Sequence, residues 1–121
     1  MKKATRIERD SMGEVVLPES ALYGPQTQRA LNNFTISEQK MDLRFIRSLL
    51  QIKRAAAEAN LTLGFLTPEK AEAITDAIDS IQDDEMMDHF PVPVLQTGSG
   101  TSSNMNANEV IARLATLKGV E

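Results

Sequence analysis

Residues Gln96 to Ala112 read QTGSGTSSNMNANEVIA, a loop of small polar residues that runs into an amphipathic stretch. Such a loop suits an anion, and a carboxylate in particular. The first amide groups of a helix have no internal acceptor, and the macrodipole places about half a positive charge there. Gly98 and Gly100 allow close backbone approach, while Ser99, Thr101, Ser102 and Ser103 add hydroxyl donors. From spacing alone, an ordinary loop capping the helix behind it fits equally well.

Other chemistry-bearing residues are sparse. Asn104, Asn106 and Asn108 stand at alternate positions where asparagine is mildly unfavourable in a helix. Capping and helix-to-helix hydrogen bonding account for Asn106 and Asn108, and Asn104 is read as a second contact to substrate or to a neighbouring loop. Glu109 and Arg113 have the i, i+4 spacing of a helical ion pair worth roughly a few tenths of a kcal/mol. Arg29 is the one cation in the QTQRA block with the reach and fork geometry for a dicarboxylate, although pairing with an acid elsewhere is the favoured reading. His89, the single histidine, is assigned a structural or surface role. With no cysteine and one histidine, thiolate catalysis and disulfides are excluded and neither a metal nor another cofactor is expected.

The elements that must position this loop follow from periodicity. Thr5 to Arg9 and Glu14 to Leu17 alternate like two strands around a turn at Ser11, Met12 and Gly13, closed by Pro18. Gln26 to Asn33 suits a short helix after the Tyr23-Gly24-Pro25 break. From about Asp42 to Leu63, Phe45, Leu49, Ile52, Ala56, Ala59 and Leu63 recur at spacings of three and four, which predicts a long helix with that stripe as its apolar face. Gly64 stops it, and Thr67-Pro68-Glu69 starts another whose stripe is Ile74, Ile78 and Ile81, ending near Gln82. Asp83-Asp84-Glu85 reads as a solvated loop and Phe90 to Leu95, with two prolines, as extended chain. A third main helix is expected from Met105 or Asn106 to Lys118, with Val110, Ile111, Leu114 and Leu117 apolar. Met86, Met87 and Met105 are filler for a core or interface.

Composition agrees with packed helices. The chain has 121 residues, 4% aromatic content and no tryptophan, so a core must rest on aliphatic side chains. The expected class is mainly α with a small β-hairpin near the N-terminus, forming one domain over residues 1–121. Net charge is −4 with acids and bases interleaved, which argues against nucleic acid as a partner. The apolar runs are far shorter than the roughly 20 residues a membrane helix needs, and the start MKKATRIERD lacks the apolar centre of a signal peptide, so a cytoplasmic location is expected.

Three blocks of the chain resemble the fumarase/aspartase superfamily, and class II fumarases specifically: RIERDSMGEVVLPESALYGPQTQRALNNF at 6 to 34, DDEMMDHFPVPVLQTGSG at 83 to 100, and the QTGSGTSSNMNANEV run itself. QTQR at 26 to 29 and TGSGT at 97 to 101 look like fumarase, whereas aspartases tend towards histidine in place of Gln26 and GGAGT in place of TGSGT. The resemblance implies reversible, cofactor-free hydration of fumarate to L-malate within a homotetramer. It also implies that Ser99, Gly100 and Thr101 bind a substrate carboxylate. The family's HPND and SSND segments, its proton-transfer histidine and its serine loop do not occur in this sequence. The expectation is therefore an N-terminal lyase domain, a fragment of a longer chain, with no catalytic residue of its own and inactive when isolated. Two alternatives stand beside it: another superfamily lyase such as aspartate ammonia-lyase, and a stand-alone dicarboxylate-binding or assembly module without catalysis.

Overall fold

Two strands open the chain: β1 (Thr5–Asp10) and β2 (Gly13–Pro18) pair antiparallel from Thr5↔Pro18 to Asp10↔Gly13. The computed structural model describes residues 3–81 and 84–119. Ser11 and Met12 form the turn, with the Met12 amide donating to Asp10 Oδ1 at 2.9 Å and Gly13 at φ 114°, a region open to glycine. The expected hairpin is thus present.

The connection out of the hairpin is organised by one side chain. Arg6, on β1, donates to the carbonyls of Pro18 (2.8 Å), Glu19 (2.9 Å), Ala21 (2.7 Å) and Tyr23 (2.9 Å). Its planar fork satisfies an irregular stretch whose own amide pattern forms no ladder. Helix α1 (Pro25–Asn33) follows, with proline in its first turn as expected.

Helix α2 (Leu43–Thr62) begins where Asp42 accepts from the Arg44 amide at 2.7 Å. It ends at Gly64 (φ 80°), beyond which the Phe65 and Leu66 amides reach back to the Asn60 carbonyl. Helix α3 (Pro68–Ser80) has the anticipated Thr67 cap, accepting from the Lys70 amide at 3.3 Å. Its expected end at Gln82 lies outside the described residues, as does Asp83. Asp84 and Glu85 open a 3-10 helix (Asp84–His89) rather than a plain loop. Residues 90–93 are tied to the 34–42 segment by a Lys40↔Pro93 bridge and by the Val94 amide on the Gln39 carbonyl at 2.7 Å, but the chain then bends at 94–96, with the Gln96 amide on the Val94 carbonyl at 3.1 Å, so the extended run expected from Phe90 to Leu95 stops short of Leu95.

Helix α4 (Thr101–Leu117) starts at Thr101 and not at Met105 or Asn106. Serine, threonine and asparagine concealed the start, because their weak helix preference reads as loop. The core forms where α2, α3 and α4 meet the 3-10 segment: Ile46, Leu50, Ala77, Ile78, Phe90, Ala107 and Val110 are all buried. Leu117 is exposed, outside the apolar face expected for it.

The apolar face assigned to α2 is also corrected. Its buried residues are Ile46, Leu50 and Ala57, whereas Phe45, Ile52 and Leu63 are 45%, 66% and 67% exposed. At about 100° per residue the two stripes stand roughly a third of a turn apart. Periodicity finds both, but α3 and α4 cover only one.

Candidate functional site

The glycine loop is held in shape by Gln96. Its side-chain amide donates to the Pro93 carbonyl and to Ser103 Oγ, both at 2.9 Å, while its oxygen accepts from the Ser103 amide at 3.1 Å. Ser103 is buried in the first turn of α4, so Gln96 acts as a remote cap seven residues upstream. Between these two points the chain must turn sharply. The Gly100 amide bonds to the Thr97 carbonyl at 3.1 Å, and Gly100 itself takes the left-handed conformation at φ 74°. A side chain there is strained whatever the free space.

Gly100 is the N-cap of α4 and offers no side-chain acceptor to the helix. The next intrahelical bond is the Asn104 amide on the Gly100 carbonyl at 3.1 Å, which leaves the Thr101 and Ser102 amides at the positive end of the helix. Ser99 and Thr101 are exposed and their hydroxyls meet at 3.0 Å. A hollow of about 370 Å³ adjoins the loop, walled by Gln96, Ser99, Gly100 and Ser103 on one side and by Met41 and Phe45 on the other. Among the described residues its lining holds no carboxylate, imidazole, ammonium or guanidinium group. The polar groups it offers are amides and hydroxyls, and among the described residues that line it none is suited to moving a proton at neutral pH.

The remaining sequence candidates are engaged elsewhere. Arg29 pairs with Asp10 and also donates to the Gly13 carbonyl at 3.2 Å, and Gln26 Nε2 reaches the same Asp10 carboxylate at 2.9 Å. The hydrogen bond from Arg29 holds Asp10 well below the usual carboxylate range, at about 2. Asn104 accepts from Lys53 Nζ of α2, so its partner is a helix and not a neighbouring loop. Asn106 is buried and donates to the His89 carbonyl at 2.8 Å, the hydrogen-bonding role expected for it. His89 Nδ1 accepts from the Leu22 amide at 3.1 Å, and burial lowers its pKa. It therefore serves as a neutral acceptor inside the fold.

Glu109 departs from its expected pairing with Arg113. Its carboxylate accepts from the Gln26 amide (3.0 Å), the Thr27 amide (2.8 Å) and the Thr27 hydroxyl (2.6 Å), capping α1 from α4. Arg113 instead faces Glu8 at 3.8 Å. A signal for this was present in the sequence: Gly24 precedes Pro25 and has no side chain to cap the helix it opens, so an acceptor from elsewhere is needed. A Cβ on Gly24 would lie 2.5 Å from Glu109 Oε2.

A larger hollow of about 420 Å³ lies between α2, α3 and α4, lined mainly by apolar side chains such as Ala56, Ile74 and Ile111. Lys53, Asn60, Lys70 and Asn108 also border it, but apolar side chains make up most of its wall. Among the described residues no cluster of three or more potential metal ligands occurs, and no helix is long and apolar enough to cross a membrane.

Comparison with known proteins places these features among lyases. The family model described as "Lyase" matches residues 13–121. The chain is 60% identical over 111 residues to a class II fumarate hydratase of Pseudomonas aeruginosa, covering 92% of this chain and 24% of that protein. It is 53% identical over 122 residues to the class II fumarate hydratase of Halobacterium salinarum, covering 100% and 26%. Among solved structures, the class II fumarase of Schistosoma mansoni superimposes with a TM-score of 0.90 at 35% identity, covering 98% of this chain and 26% of that one. A Brucella melitensis protein titled fumarate lyase:delta crystallin gives 0.85 at 47% identity, covering 95% and 25%. The chain thus spans about a quarter of the length of the curated relatives it matches.

Proposed function

Since the chain belongs to the lyase family of the fumarase/aspartase superfamily, we propose that it is the N-terminal part of a fumarate hydratase that interconverts fumarate and L-malate. Its contribution is the carboxylate-binding loop Ser99, Gly100 and Thr101. One observation carries the assignment of the loop: Gly100 starts α4 in the left-handed conformation with no side-chain acceptor of its own, so the Thr101 and Ser102 amides stay free at the helix start beside an open hollow. A carboxylate at the start of α4 meets the Thr101 and Ser102 amides and the Ser99 and Thr101 hydroxyls, a donor set that matches its lone pairs. The 60% identity to a fumarate hydratase supports fumarate and malate as the dicarboxylates.

Hydration of fumarate passes through a state in which negative charge grows on a carboxylate, and donors fixed in place lower its energy. A base and an acid must also stand within hydrogen-bond reach of the protons that move. The hollow's own lining has neither, so these groups come from other segments of a longer, homotetrameric enzyme working in the cytoplasm.

The test joins this chain to the remaining three quarters of the Pseudomonas relative and follows the loss of fumarate absorbance. The joined protein is expected to hydrate fumarate, and Thr101→Ala to lower kcat/KM by about a hundredfold, the scale of one lost donor to developing charge. The isolated chain is expected to show no turnover above its own Thr101→Ala variant. Activity in the joined protein that is indifferent to Thr101→Ala removes the loop from the mechanism.

A further inference from the structure

The second apolar stripe of α2 is left largely uncovered by the described residues. Phe45, Leu49, Ile52, Ala56, Ala59 and Leu63 follow one another in steps of four, three, four, three and four residues. Apart from half-buried Leu49, every one of them is exposed. The five steps average 3.6 residues, and their alternation of four and three is the pattern of a seam that packs along another α-helix lying almost parallel to it. Its length of about 27 Å at 1.5 Å per residue corresponds to five turns of partner helix.

Ala56 belongs both to this seam and to the 420 Å³ hollow between α2, α3 and α4. Apolar surface is therefore continuous from the seam into the hollow, where Ile74, Ile111 and Ala115 form the floor. Among the described residues, the charged ones lining the hollow are Lys53 and Lys70. Small side chains at 55, 56 and 59 permit a close helix approach, and a partner with large residues opposite them would fill the space.

We propose that this face seats an amphipathic α-helix from the part of a lyase chain lying beyond the quarter spanned here. That helix presents large apolar residues to Ala56 and Ala59 and acidic residues to Lys53 and Lys70. Two observations select this occupant. The matched relatives are about four times as long as the region shared with this chain, so most of their length is available to cover the face. A second copy matches less well in charge: the positions flanking the seam are Ser48, Ala55 and Thr62 on one side and Lys53 and Asn60 on the other, which offer no acid to a lysine. The inference rests on the reading of the chain as one part of a longer lyase.

The chain contains no cysteine, so one introduced thiol reports on one position. Ile52→Cys is labelled with a maleimide in the isolated chain and in the protein joined to the rest of the Pseudomonas relative, with modification of the peptide carrying residue 52 read by mass spectrometry. Labelling in the joined protein is expected to slow at least tenfold. Gln51→Cys, exposed and off the seam, is expected to change less than twofold. As a second measurement, Ile52→Glu is expected to lower the melting temperature of the joined protein while Gln51→Glu leaves it unchanged.

Equal labelling of Ile52→Cys in both proteins overturns the proposal, as does protection that appears in the isolated chain as its concentration rises, which assigns the face to a second copy. Fumarate hydration separates this proposal from the functional one. An active joined protein with residue 52 unprotected removes only the docking helix, and a protected residue 52 without hydration removes only the assigned reaction.

Discussion

Glu109 and Thr27, 82 positions apart in sequence, are joined by two hydrogen bonds to one carboxylate oxygen, from the Thr27 amide at 2.8 Å and the Thr27 hydroxyl at 2.6 Å. The helix that begins with the glycine loop thereby caps the helix that follows the hairpin. Thr27 is fully buried, so water has little access to replace the bond. Glu109→Ala is expected to destabilise the fold by about 2 kcal/mol, the scale of charge-assisted bonds lost from buried donors. Urea unfolding monitored by circular dichroism measures this.

Gly24 and Glu109 make a coupled pair, because a Cβ on Gly24 meets the Glu109 carboxylate. Gly24→Ala is expected to destabilise the native chain and to be close to neutral in a Glu109→Ala background. A double-mutant cycle in urea reads the coupling; additive effects within about 0.3 kcal/mol show that the two residues do not constrain each other.

His89 gives the fold a dependence on mildly acidic pH. Its folded-state pKa is lowered by burial, and Nδ1 accepts the Leu22 amide only while unprotonated. The stability it contributes is therefore complete above its unfolded value of about 6.5 and is lost as pH falls from there through the lower folded value. His89→Gln is expected to flatten the urea midpoint over that interval. An unchanged slope assigns the pH dependence to other groups.

The Asp10 and Arg29 pair acts lower on the pH scale. With Asp10 held at about 2 by Arg29, its contribution is present above the unfolded carboxylate value near 4 and fades as pH falls towards 2. An NMR titration of the Asp10 carboxyl carbon is expected to give a midpoint near 2 in the native chain and a clearly higher one in Arg29→Gln. Equal midpoints contradict the pairing.

Gln96 should govern the order of the glycine loop. Gln96→Ala removes the remote cap on Ser103, at an expected cost of about 1 kcal/mol. Hydrogen exchange at the Ser103 amide should accelerate by about fivefold, while amides in α3 keep their rates. Unchanged exchange at Ser103 means that the loop holds its shape without the glutamine.

Features set by neighbouring residues were legible in the sequence. Ser11 and Met12 between alternating segments marked the hairpin, Thr67-Pro68-Glu69 marked the start of α3, and Gly64 marked the end of α2, because each acts over three or four residues. The start of α4 was misplaced because its signal, Gln96 on Ser103, comes from outside the helix. The buried face of α2 was misjudged for a related reason: the more regular of its two stripes is the one that α3 and α4 leave uncovered. Glu109 was read through its nearest neighbour in the helix, Arg113, when its partners lie on α1. Family resemblance pointed to Ser99, Gly100 and Thr101, and the structure adds that Gly100 is the turning point from which α4 departs.

Arg6 has a consequence for the order of folding. The stretch between hairpin and α1 takes its shape from a side chain on β1, through contacts 12 to 17 residues apart. Each contact closes a loop only when the strand presenting the guanidinium is in place. The hairpin must therefore form before its own exit path is fixed. Arg6→Lys, which keeps the charge and loses the fork, should then accelerate unfolding far more than it slows refolding, as stopped-flow chevron limbs would reveal.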